Sequence, residues 1–529
     1  MFFLNALMHF DNSKFTIELQ KFIYYLTKMT NSIGHIIGGK VVKEDGKSFE
    51  IFNPSNGKCI ALATNASKKI IDKTIDNSVE AFNEWHSYSL AKRASILFEY
   101  KVLLENNIDK LAQIISKDLG KVHEDAIGEI RRGIENVEYA CGIGEILKGE
   151  FNKNISTSID SWSEFSPLGV VLGITPFNFP AMVPLWMFPL AIAAGNSFIL
   201  KPSEKDPLAS MFIVELFNQT KAPKGLLNLL NGDKDVVNNL IQDKRIKAVS
   251  FVGSTPVAQK IYESSSISGK RCQALGGAKN HALVLPDANI DYATDQLISA
   301  AFGSSGQRCM ALSVAVVFKD IKEKFNKSLK EKVSKLKFGH EDLNLNSFGP
   351  LVSKEHLESV KKNINLAEEE GSLILLDGRD NIKRKNSENG YFIGPTLIDK
   401  VKSSMKSYEN EIFGPVLQII EVDSMDEALQ IINENKFGNG CCIFTSSGEK
   451  ARKFSQNVNI GMVGVNIPLP VPSSFHSFGG WKDSLFGDLN MYGPDGLRFF
   501  TQRKTVTQKW PEESSESKGI NLSMPNNLN

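Results

Sequence analysis

The stretch AVSFVGSTPVAQKIYESS, residues 248–265, decides how the fold is interpreted. Its apolar run 248–252 is typical of a buried strand. Ser254 or Thr255 can cap a following helix, and Pro256 suits the first turn because that position has no use for a backbone donor. The stretch therefore predicts a strand, a turn and a helix whose positive amino end is suited to phosphate. A capped helix without a ligand is the alternative interpretation of the same residues.

Two further apolar runs precede this unit. The runs 169–174 and 197–200 predict strands, because each is followed by a turn and a helical pattern. The alternation predicts an α/β architecture with largely parallel sheets. No G-x-G-x-x-G follows any of the three strands, so the usual dinucleotide fingerprint is absent. Apolar residues at helical spacing predict helices upstream, at 71–88, 90–105, 108–119 and 125–148.

The rest of the chain predicts a second domain and two appendages. A length of 529 residues exceeds one hydrophobic core, and residues 280–318 and 347–444 repeat the strand and helix alternation. Residues 1–33 differ in character and predict an N-terminal extension or presequence, although their composition is not that of a transit peptide. The tail after Trp510 is rich in Ser, Glu, Lys and Asn, which predicts disorder.

Composition excludes several classes of function. The chain carries 61 basic and 60 acidic side chains, so no overall field favours nucleic acid or an anionic membrane. The longest apolar run, 181–200, is interrupted by Pro184, Pro189 and Gly195, which argues against a membrane-spanning helix. The six cysteines contain no CxxC pair, so we predict no metal site and no disulfide framework.

Cys309 is the cysteine with a reactive context. It lies in GSSGQRCMALS, residues 303–313, directly after Arg308. A glycine- and serine-rich loop beside a guanidinium predicts an exposed, electropositive thiol, and the thiolate is the form that attacks an aldehyde carbon. A small buried hydrophobe is the alternative interpretation of a cysteine taken alone.

Six motifs, taken together, resemble the aldehyde dehydrogenases over roughly residues 34–510. The sequences GGAKNH and FTQRKTVTQKW resemble one branch in particular, the methylmalonate-semialdehyde dehydrogenases. The six motifs are PFNFP (176–180), LKPSE (200–204), FVGS (251–254), LGGAKNH (275–281), GQRCMALS (306–313) and EIFGPV (411–416).

The resemblance implies an aldehyde dehydrogenase fold with a Rossmann-like NAD-binding domain, an α/β catalytic domain and a small β oligomerisation flap. The implied divisions are an extension at 1–33, the NAD-binding domain at 34–154 and 167–279, the catalytic domain at 280–464, the hairpin and strand of the flap at 155–166 and 495–510, and a disordered tail at 511–529.

The resemblance also assigns roles to individual residues. Cys309 is the implied nucleophile, and the side chain of Asn178 with the backbone N–H of Cys309 forms the implied oxyanion hole. Glu204 favours NAD over NADP, because a carboxylate repels a 2′-phosphate. The implied NAD-binding residues are Thr175, Phe177, Lys201, Glu204, Lys205, Ser254 and Glu411. Each could alone be a turn or surface residue.

Ala274 is informative because hydrolytic members carry glutamate at this place, in ELGGK. Alanine has no proton acceptor with which to activate water, so hydrolysis of the thioester is expected to be slow. Coenzyme A is the implied acyl acceptor, since thiolates are good nucleophiles towards thioesters. The alternative is that another carboxylate replaces the missing base.

Arg132 and Arg308 are the implied carboxylate-binding residues, since guanidinium groups match carboxylates bidentately. The predicted reaction converts methylmalonate semialdehyde or malonate semialdehyde into propionyl-CoA or acetyl-CoA, with decarboxylation. A hydrolytic semialdehyde dehydrogenase and a catalytically silent relative are the alternatives. The resemblance further implies a homodimer or homotetramer formed through a hairpin near 155–165 and a strand near 499–507, a role in valine catabolism, and a mitochondrial location, with the cytoplasm as the alternative.

Overall fold

Two large sheets organise the protein in a computed structural model, which describes residues 32–338, 347–379, 389–510 and positions 520, 522 and 524. Within these residues one sheet has eight strands and the other has seven, and smaller sheets lie around them. Helices pack on the faces of both sheets, as expected of an α/β fold.

The strands, in chain order, are β1 (Ser32–Ile33), β2 (His35–Ile37), β3 (Lys40–Val42), β4 (Ser48–Asn53), β5 (Lys58–Thr64), β6 (Phe151–Ser156), β7 (Ile159–Pro167), β8 (Val170–Ile174), β9 (Ser197–Lys201), β10 (Leu227–Leu229), β11 (Ile246–Val252), β12 (Arg271–Leu275), β13 (Asn280–Val284), β14 (Leu312–Phe318), β15 (Lys337–Phe338), β16 (Ser347–Phe348), β17 (Leu373–Leu376), β18 (Thr396–Asp399), β19 (Val416–Val422), β20 (Phe437–Gly438), β21 (Gly440–Phe444), β22 (Met462–Val465), β23 (Trp481–Lys482), β24 (Leu485–Phe486) and β25 (Thr501–Lys509).

The helices, in chain order, are α1 (Lys68–Trp85), α2 (Leu90–Glu105), α3 (Ile108–Leu119), α4 (His123–Cys141), α5 (Ile143–Ile146), α6 (Met182–Ala193), α7 (Pro207–Phe217), α8 (Lys234–Gln242), α9 (Thr255–Ile267), α10 (Ile290–Phe302), α11 (Lys319–Val333), α12 (Lys354–Glu369), α13 (Lys406–Glu409), α14 (Met425–Glu434), α15 (Gly448–Asn457) and α16 (Gly493–Phe499).

The eight-stranded sheet has the order β24-β12-β11-β8-β9-β10-β2-β3. Its five central strands, from β12 to β10, are parallel, and the outer strands are antiparallel. The three strands predicted from the sequence are confirmed as β8, β9 and β11, which are neighbours at the centre of the sheet. Their carboxyl ends therefore meet at one edge.

The seven-stranded sheet has the order β17-β18-β19-β14-β13-β21-β22 and is parallel except for β17. The predicted second α/β unit is therefore present. At its centre, β13, β14 and β19 lie side by side, so their amino ends also form one edge.

The predicted helices are largely confirmed. α2 and α3 have the predicted bounds, and Ser254 is the N-cap residue of α9. The helix predicted at 125–148 instead ends at Cys141, and a separate turn of helix follows Gly142. The apolar run 181–200 forms α6, which is buried throughout, and β9. No helix among the described residues is both long and apolar enough to cross a membrane.

The predicted flap boundaries need correction. The hairpin β6–β7 begins at Phe151, earlier than the predicted 155, and β7 pairs with β25 from Pro167↔Thr501 to Ile159↔Lys509. Gly493 at φ +58° and Pro494 start α16, so the first part of the predicted strand segment 495–510 is helical.

The predicted N-terminal boundary is also different. Ser32 and Ile33 pair with Leu62 and Ala63, so the ordered sheet begins before the predicted start at 34. Residues 1–31, and most of the tail predicted to be disordered at 511–529, lie outside the described residues.

Candidate active site

The two large sheets face each other across a cleft. Thr175, Lys201 and Ser254 lie at the carboxyl ends of β8, β9 and β11, and the loop after β12 crosses to β13 in the other sheet. This loop joins the opposite edge directly, because Ala278 N donates to Oε1 of Glu411 over 2.9 Å. Open α/β sheets bind ligands at such carboxyl edges, so the cleft is a candidate active site.

Phe177 and Phe413 also connect the two sides of the cleft. Their rings are arranged edge to face, with centroids 5.9 Å apart. Phe177 belongs to PFNFP after β8, and Phe413 belongs to EIFGPV before β19. Two motifs separated by more than two hundred residues are therefore in contact.

The loop that carries Cys309 is tightly held. Ser304, Ser305 and Gly306 all have positive φ, and a Cβ at Gly306 would lie 2.1 Å from the carbonyl oxygen of Gly414. Only glycine allows this approach to the EIFGPV loop. The loop therefore lies against the segment that contains Glu411.

Two side-chain amides fix the backbone of the nucleophile candidate. Nδ2 of Asn280 donates to the carbonyl oxygen of Cys309 over 2.8 Å, and Nδ2 of Asn439 donates to it over 3.0 Å. The carbonyl is thereby oriented, and Cys309 lines two cavities of the molecule.

Asn178 is buried beside the same loop. Its Nδ2 donates to the carbonyl oxygen of Gln307 over 2.8 Å. An amide nitrogen has two hydrogens, so this contact uses one and leaves a second donor. The structure therefore brings Asn178 to the loop that carries Cys309.

One pocket contains Cys309 together with both predicted arginines. We call it the aromatic pocket. Its apolar wall consists of Phe179, Met182, Trp186, Leu469, Val471 and Phe478, and Arg132, Arg308, Asp125 and Glu129 also line it. The pocket is thus apolar with a few charged groups, which suits a small organic anion.

Both arginines already have acidic partners. Nη2 of Arg308 lies 2.7 Å from Oδ1 of Asp125, and Arg132 pairs with Glu135 while donating to the carbonyl oxygen of Pro472 over 2.8 Å. The sequence did not predict these partners. The charge of Arg308 in particular is balanced by Asp125 before any substrate enters.

Cys309 was predicted to be an exposed, electropositive thiol, but in the structure it is only partly exposed. Burial raises the pKa of the thiol to about 12, and the nearby Glu411 carboxylate raises it further, while Arg308 lowers it only weakly. The thiolate is disfavoured because its surroundings are poor in water. The Arg308 guanidinium, which was expected to stabilise the thiolate, is paired with Asp125. These surroundings therefore favour the thiol over the thiolate.

Glu411 lies in an inner cavity with Cys309, Ala278 and Asn280. Burial raises its pKa to about 7, against the opposing effects of the Ala278 N–H and the Lys279 ammonium. Lys279 is itself buried, donates to the carbonyl oxygen of Asn410 over 2.7 Å, and has its pKa lowered to about 7 by burial. Glu411, which lines the cavity of the thiol, and Lys279, which acts on Glu411, thus both have pKa values of about 7.

The opposite edge holds the predicted cofactor residues. Nζ of Lys201 lies 3.1 Å from Oε2 of Glu204, and although burial opposes it, this ammonium keeps the pKa of Glu204 below its ordinary value. Oγ1 of Thr175 is buried without a hydrogen-bond partner among the described residues. Ser254 caps α9 without a side-chain bond, and Lys205 is exposed. This edge therefore has polar groups ready for a ligand.

Residues 41–506 match the family model described as "Aldehyde dehydrogenase family". The chain belongs to the aldehyde dehydrogenase family. A malonate-semialdehyde dehydrogenase of Pseudomonas aeruginosa is 50% identical over 485 residues, which cover 92% of this chain and 97% of that relative. The predicted family and its α/β fold are therefore confirmed.

Solved structures agree with this assignment. The crystal structure of methylmalonate-semialdehyde dehydrogenase from Oceanimonas doudoroffii is 53% identical with a TM-score of 0.90, covering 91% of this chain and 99% of that one. A structure of a putative methylmalonate-semialdehyde dehydrogenase from Sinorhizobium meliloti, complexed with NAD, is 42% identical with a TM-score of 0.89 and the same coverage. The predicted likeness to this branch of the aldehyde dehydrogenases is confirmed.

In this aldehyde dehydrogenase, Ala274 is fully buried in an apolar cluster with Phe251 and Ala258. Three carboxylates line the two cavities around Cys309, namely those of Asp125, Glu129 and Glu411. The first two are held in ion pairs, with Arg308 and Lys121. Among the residues of these cavities, Glu411 is the carboxylate without an ion pair within 4 Å.

Sequence reasoning missed several residues around the site. Asp125, Lys121 and Glu129 look like ordinary helix charges, and Asn439 belongs to no motif that we singled out. Asn280 lies within LGGAKNH, but the motif gave it no predicted role. Within the described ranges, no group of three or more His, Cys, Asp or Glu side chains is arranged to hold a metal ion.

Proposed function

We propose that this aldehyde dehydrogenase oxidises a semialdehyde that carries a carboxylate, methylmalonate semialdehyde or malonate semialdehyde, with NAD, and transfers the acyl group to coenzyme A. The observation that carries the proposal is the aromatic pocket, in which Cys309 lies together with Arg132 and Arg308. The names of the similar Pseudomonas and Oceanimonas proteins support the same class of substrate.

Cys309 is the proposed nucleophile. The partly exposed thiol first loses its proton to solvent, and the resulting thiolate adds to the aldehyde carbon, whose oxygen becomes negative as the carbon–sulfur bond forms. Asn178 has one amide hydrogen beyond the one donated to Gln307, and this hydrogen with the backbone N–H of Cys309 would stabilise that oxygen. A contribution of about 3 kcal/mol is typical of one such donor.

The residues at the carboxyl edge of the eight-stranded sheet fit a nicotinamide dinucleotide. The unpartnered hydroxyl of Thr175 and the Lys201–Glu204 pair offer the donors and acceptors that ribose hydroxyls need, and the start of α9 offers backbone N–H groups to phosphate. Bound there, oxidised NAD would bring a positive ring charge and would accept the hydride from the former aldehyde carbon. The acyl group would then remain on Cys309 as a thioester. Phe177, Lys205 and Glu411 complete the proposed binding residues.

The proposed fate of the acyl group follows from the missing glutamate at 274, which leaves Glu411 as the one carboxylate of these cavities that could replace it. Alanine at 274 activates no water, and Asp125 and Glu129 are committed to cationic partners. A thiol is a sufficient nucleophile without such a base, so coenzyme A attacks the acyl carbon and the sulfur of Cys309 leaves.

Decarboxylation is the proposed step between oxidation and transfer. While the acyl group is a thioester on Cys309, its carboxylate lies β to the carbonyl carbon. Loss of carbon dioxide leaves an enolate, whose oxygen occupies the position stabilised by Asn178, and a proton then completes propionyl or acetyl. Arg132 and Arg308 would hold the carboxylate before it leaves, and Arg308 would exchange part of its contact with Asp125.

The decisive experiment compares turnover with and without coenzyme A. Purified protein, methylmalonate semialdehyde and NAD are expected to give one equivalent of NADH per site and then to stop. Added coenzyme A should restart turnover and yield propionyl-CoA and carbon dioxide, measured by mass spectrometry. Free acid formed at the full rate without coenzyme A would contradict the proposal.

A hydrolytic semialdehyde dehydrogenase is the second candidate, and Glu411 favours it. A carboxyl with a pKa of about 7 beside Cys309 is a competent proton acceptor near neutrality. If Glu411 activates water, Glu411→Gln should abolish free-acid formation while leaving acyl transfer to coenzyme A intact.

Association and location remain proposals. β6 and β25 are the edge strands of the three-stranded flap, and Phe151 and Ile155 are exposed on β6, so pairing with other copies in a homodimer or homotetramer would cover an open edge. Mass photometry measures the number of copies that associate.

The mitochondrial location and the role in valine catabolism stay predictions, and the relatives named above are bacterial proteins.

A further inference from the structure

A buried ion pair lies behind Asn178, and the proposed reaction does not use it. Nζ of Lys121 is 2.5 Å from Oε2 of Glu129, and the two side chains are 2% and 0% exposed. Lys121 lies between α3 and α4, and Glu129 lies on α4. Both charges are therefore withdrawn from water within the NAD-binding side of the molecule.

The pair contacts the PFNFP segment on both sides of its turn. Nζ of Lys121 donates to the carbonyl oxygen of Asn178 over 2.8 Å and lies 4.2 Å from the centre of the Phe179 ring. Oε1 of Glu129 accepts from the backbone N–H groups of Ala181 and Met182 over 3.0 and 3.2 Å, where α6 begins. The two charged side chains thus bind the backbone before and after the turn.

Other contacts hold the ends of this segment, since Oγ of Ser210 donates to the carbonyl oxygen of Pro180 over 2.7 Å and the Phe177 ring contacts Phe413, but at the Asn178 carbonyl the partner is Lys121. β8 ends at Ile174 and α6 begins at Met182, so Asn178 lies on backbone that has no strand or helix ladder of its own. The position of its amide nitrogen, 2.8 Å from Gln307 O, depends on where this backbone is held. A shift of about 1 Å in a catalytic group can cost roughly 100-fold in rate.

Stability alone does not explain a pair of this kind. Burying two charges costs free energy that their attraction seldom exceeds, and apolar side chains of similar size often serve stability equally well. What apolar side chains cannot supply is a donor for Asn178 O and an acceptor for two helix N–H groups at once.

We propose that Lys121 and Glu129 are positioning residues that fix the Asn178 amide for the oxyanion of the thiohemiacetal and of the enolate. The inference rests on the proposed function of Asn178 and Cys309. Lys121 acts on the carbonyl side of Asn178, and Glu129 acts on the helix that follows it.

The test uses a charge-neutral double variant. Lys121→Met alone would leave Glu129 buried and unpaired, which destabilises proteins strongly. K121M/E129Q removes both charges, and the glutamine oxygen can still accept from Ala181 and Met182. The contacts that disappear are the hydrogen bond to Asn178 O and the ammonium's contact with the Phe179 ring.

The expected result is a slower first turnover with unchanged cofactor binding. The rate of the NADH burst should fall roughly 10- to 100-fold, while the Kd for NAD stays within about twofold. The loss should disappear in the background of Asn178→Ala, because residues that act through one another are not additive. Thus N178A and N178A/K121M/E129Q should give the same burst rate.

A largely buried ion pair in the other sheet's part of the molecule provides the control. Nζ of Lys322 lies 3.0 Å from Oδ1 of Asp399 and 3.1 Å from Oε2 of Glu421. K322M/D399N should lower the melting temperature as K121M/E129Q does, yet it should leave the burst rate unchanged.

Two outcomes would overturn the inference. One is a wild-type burst rate in K121M/E129Q, and the other is a full additional loss when the double variant is combined with Asn178→Ala. A wild-type protein that gives no burst would instead contradict the proposed function, so the two failures are distinguishable.

Discussion

The two edges of the cleft are built differently. At the amino edge of the seven-stranded sheet, the carbonyl of Cys309 accepts two side-chain hydrogen bonds, and Glu411 accepts one from Ala278 N. At the carboxyl edge of the eight-stranded sheet, the buried hydroxyl of Thr175 has no partner in the part of the chain that the structure describes, and Ser254 makes no side-chain cap bond there. One edge is fixed in advance, and the other has unused polar groups.

This difference matches what each edge is proposed to do. A reacting group must be held within fractions of an ångström, so its surroundings must be rigid before the substrate arrives. A binding edge has to exchange water for a ligand, and its donors are satisfied only when the ligand is present. Substitutions of the reacting groups at the fixed edge should therefore lower rates, and substitutions of the proposed NAD-binding residues, Glu411 of the fixed edge included, should lower affinity.

The largest expected effect is at Cys309. Cys309→Ala removes the only atom proposed to bond with the substrate, so NADH formation should fall by at least about 1,000-fold. Binding of NAD, measured by titration calorimetry, should be unchanged because the variant keeps the opposite edge. A variant that still turned over at a tenth of the original rate would remove the distinction between the two edges.

Glu411→Gln is expected to have an intermediate effect, which is to remove a pH dependence of NAD binding. Burial raises the pKa of Glu411 to about 7, so the carboxyl loses its proton as the pH rises from 6 to 8. Only the ionised form accepts hydrogen bonds with both oxygens, and NAD should therefore bind roughly 10-fold more tightly at pH 8 than at pH 6.

The control for this pH dependence is the same variant. Lys279 titrates near pH 7 as well, and Cys309 lies in the same cavity with a pKa near 12. In Glu411→Gln the Kd for NAD should be nearly flat between pH 6 and 8. A persistent inflection would assign the titration to Lys279 instead.

The smallest expected effect is at Glu204, on the open edge. Glu204→Gln keeps a hydrogen-bond acceptor but removes the charge that repels a 2′-phosphate. The ratio of kcat/KM with NAD to that with NADP should fall roughly 10-fold, and the burst rate at saturating NAD should not change. Steady-state kinetics with both cofactors measure this, and an altered burst rate would show that the two edges are not independent.

The fold was largely predictable, because it follows from local periodicity. α2 and α3 have the predicted bounds, since their apolar positions recur at helical spacing. Boundaries were missed at Gly142, where the backbone leaves the helix with φ −76° and ψ 14°, and at Gly493, whose φ is +58°. Such breaks depend on backbone conformations that a periodic pattern does not reveal.

The structure brings several of the predicted site residues together, but their electrostatics were not predictable from the sequence. Motifs far apart in the chain did meet, as Asn178 with Gln307 shows. The protonation state of Cys309 was not predictable from Arg308, because Asp125, 183 residues away in sequence, pairs with that guanidinium. Neither was the role of Lys121 and Glu129, which resemble solvated charges until their burial is known.

The sequence by itself determined which atoms are present for chemistry: a thiol at 309, an amide at 178 and no carboxylate at 274. The tertiary structure alone decided which charges are neutralised, which groups are removed from water and which pKa values move. The physical reason is that residue type is a local property of the chain, whereas desolvation and Coulomb interactions depend on distances that exist only after the two sheets have come together.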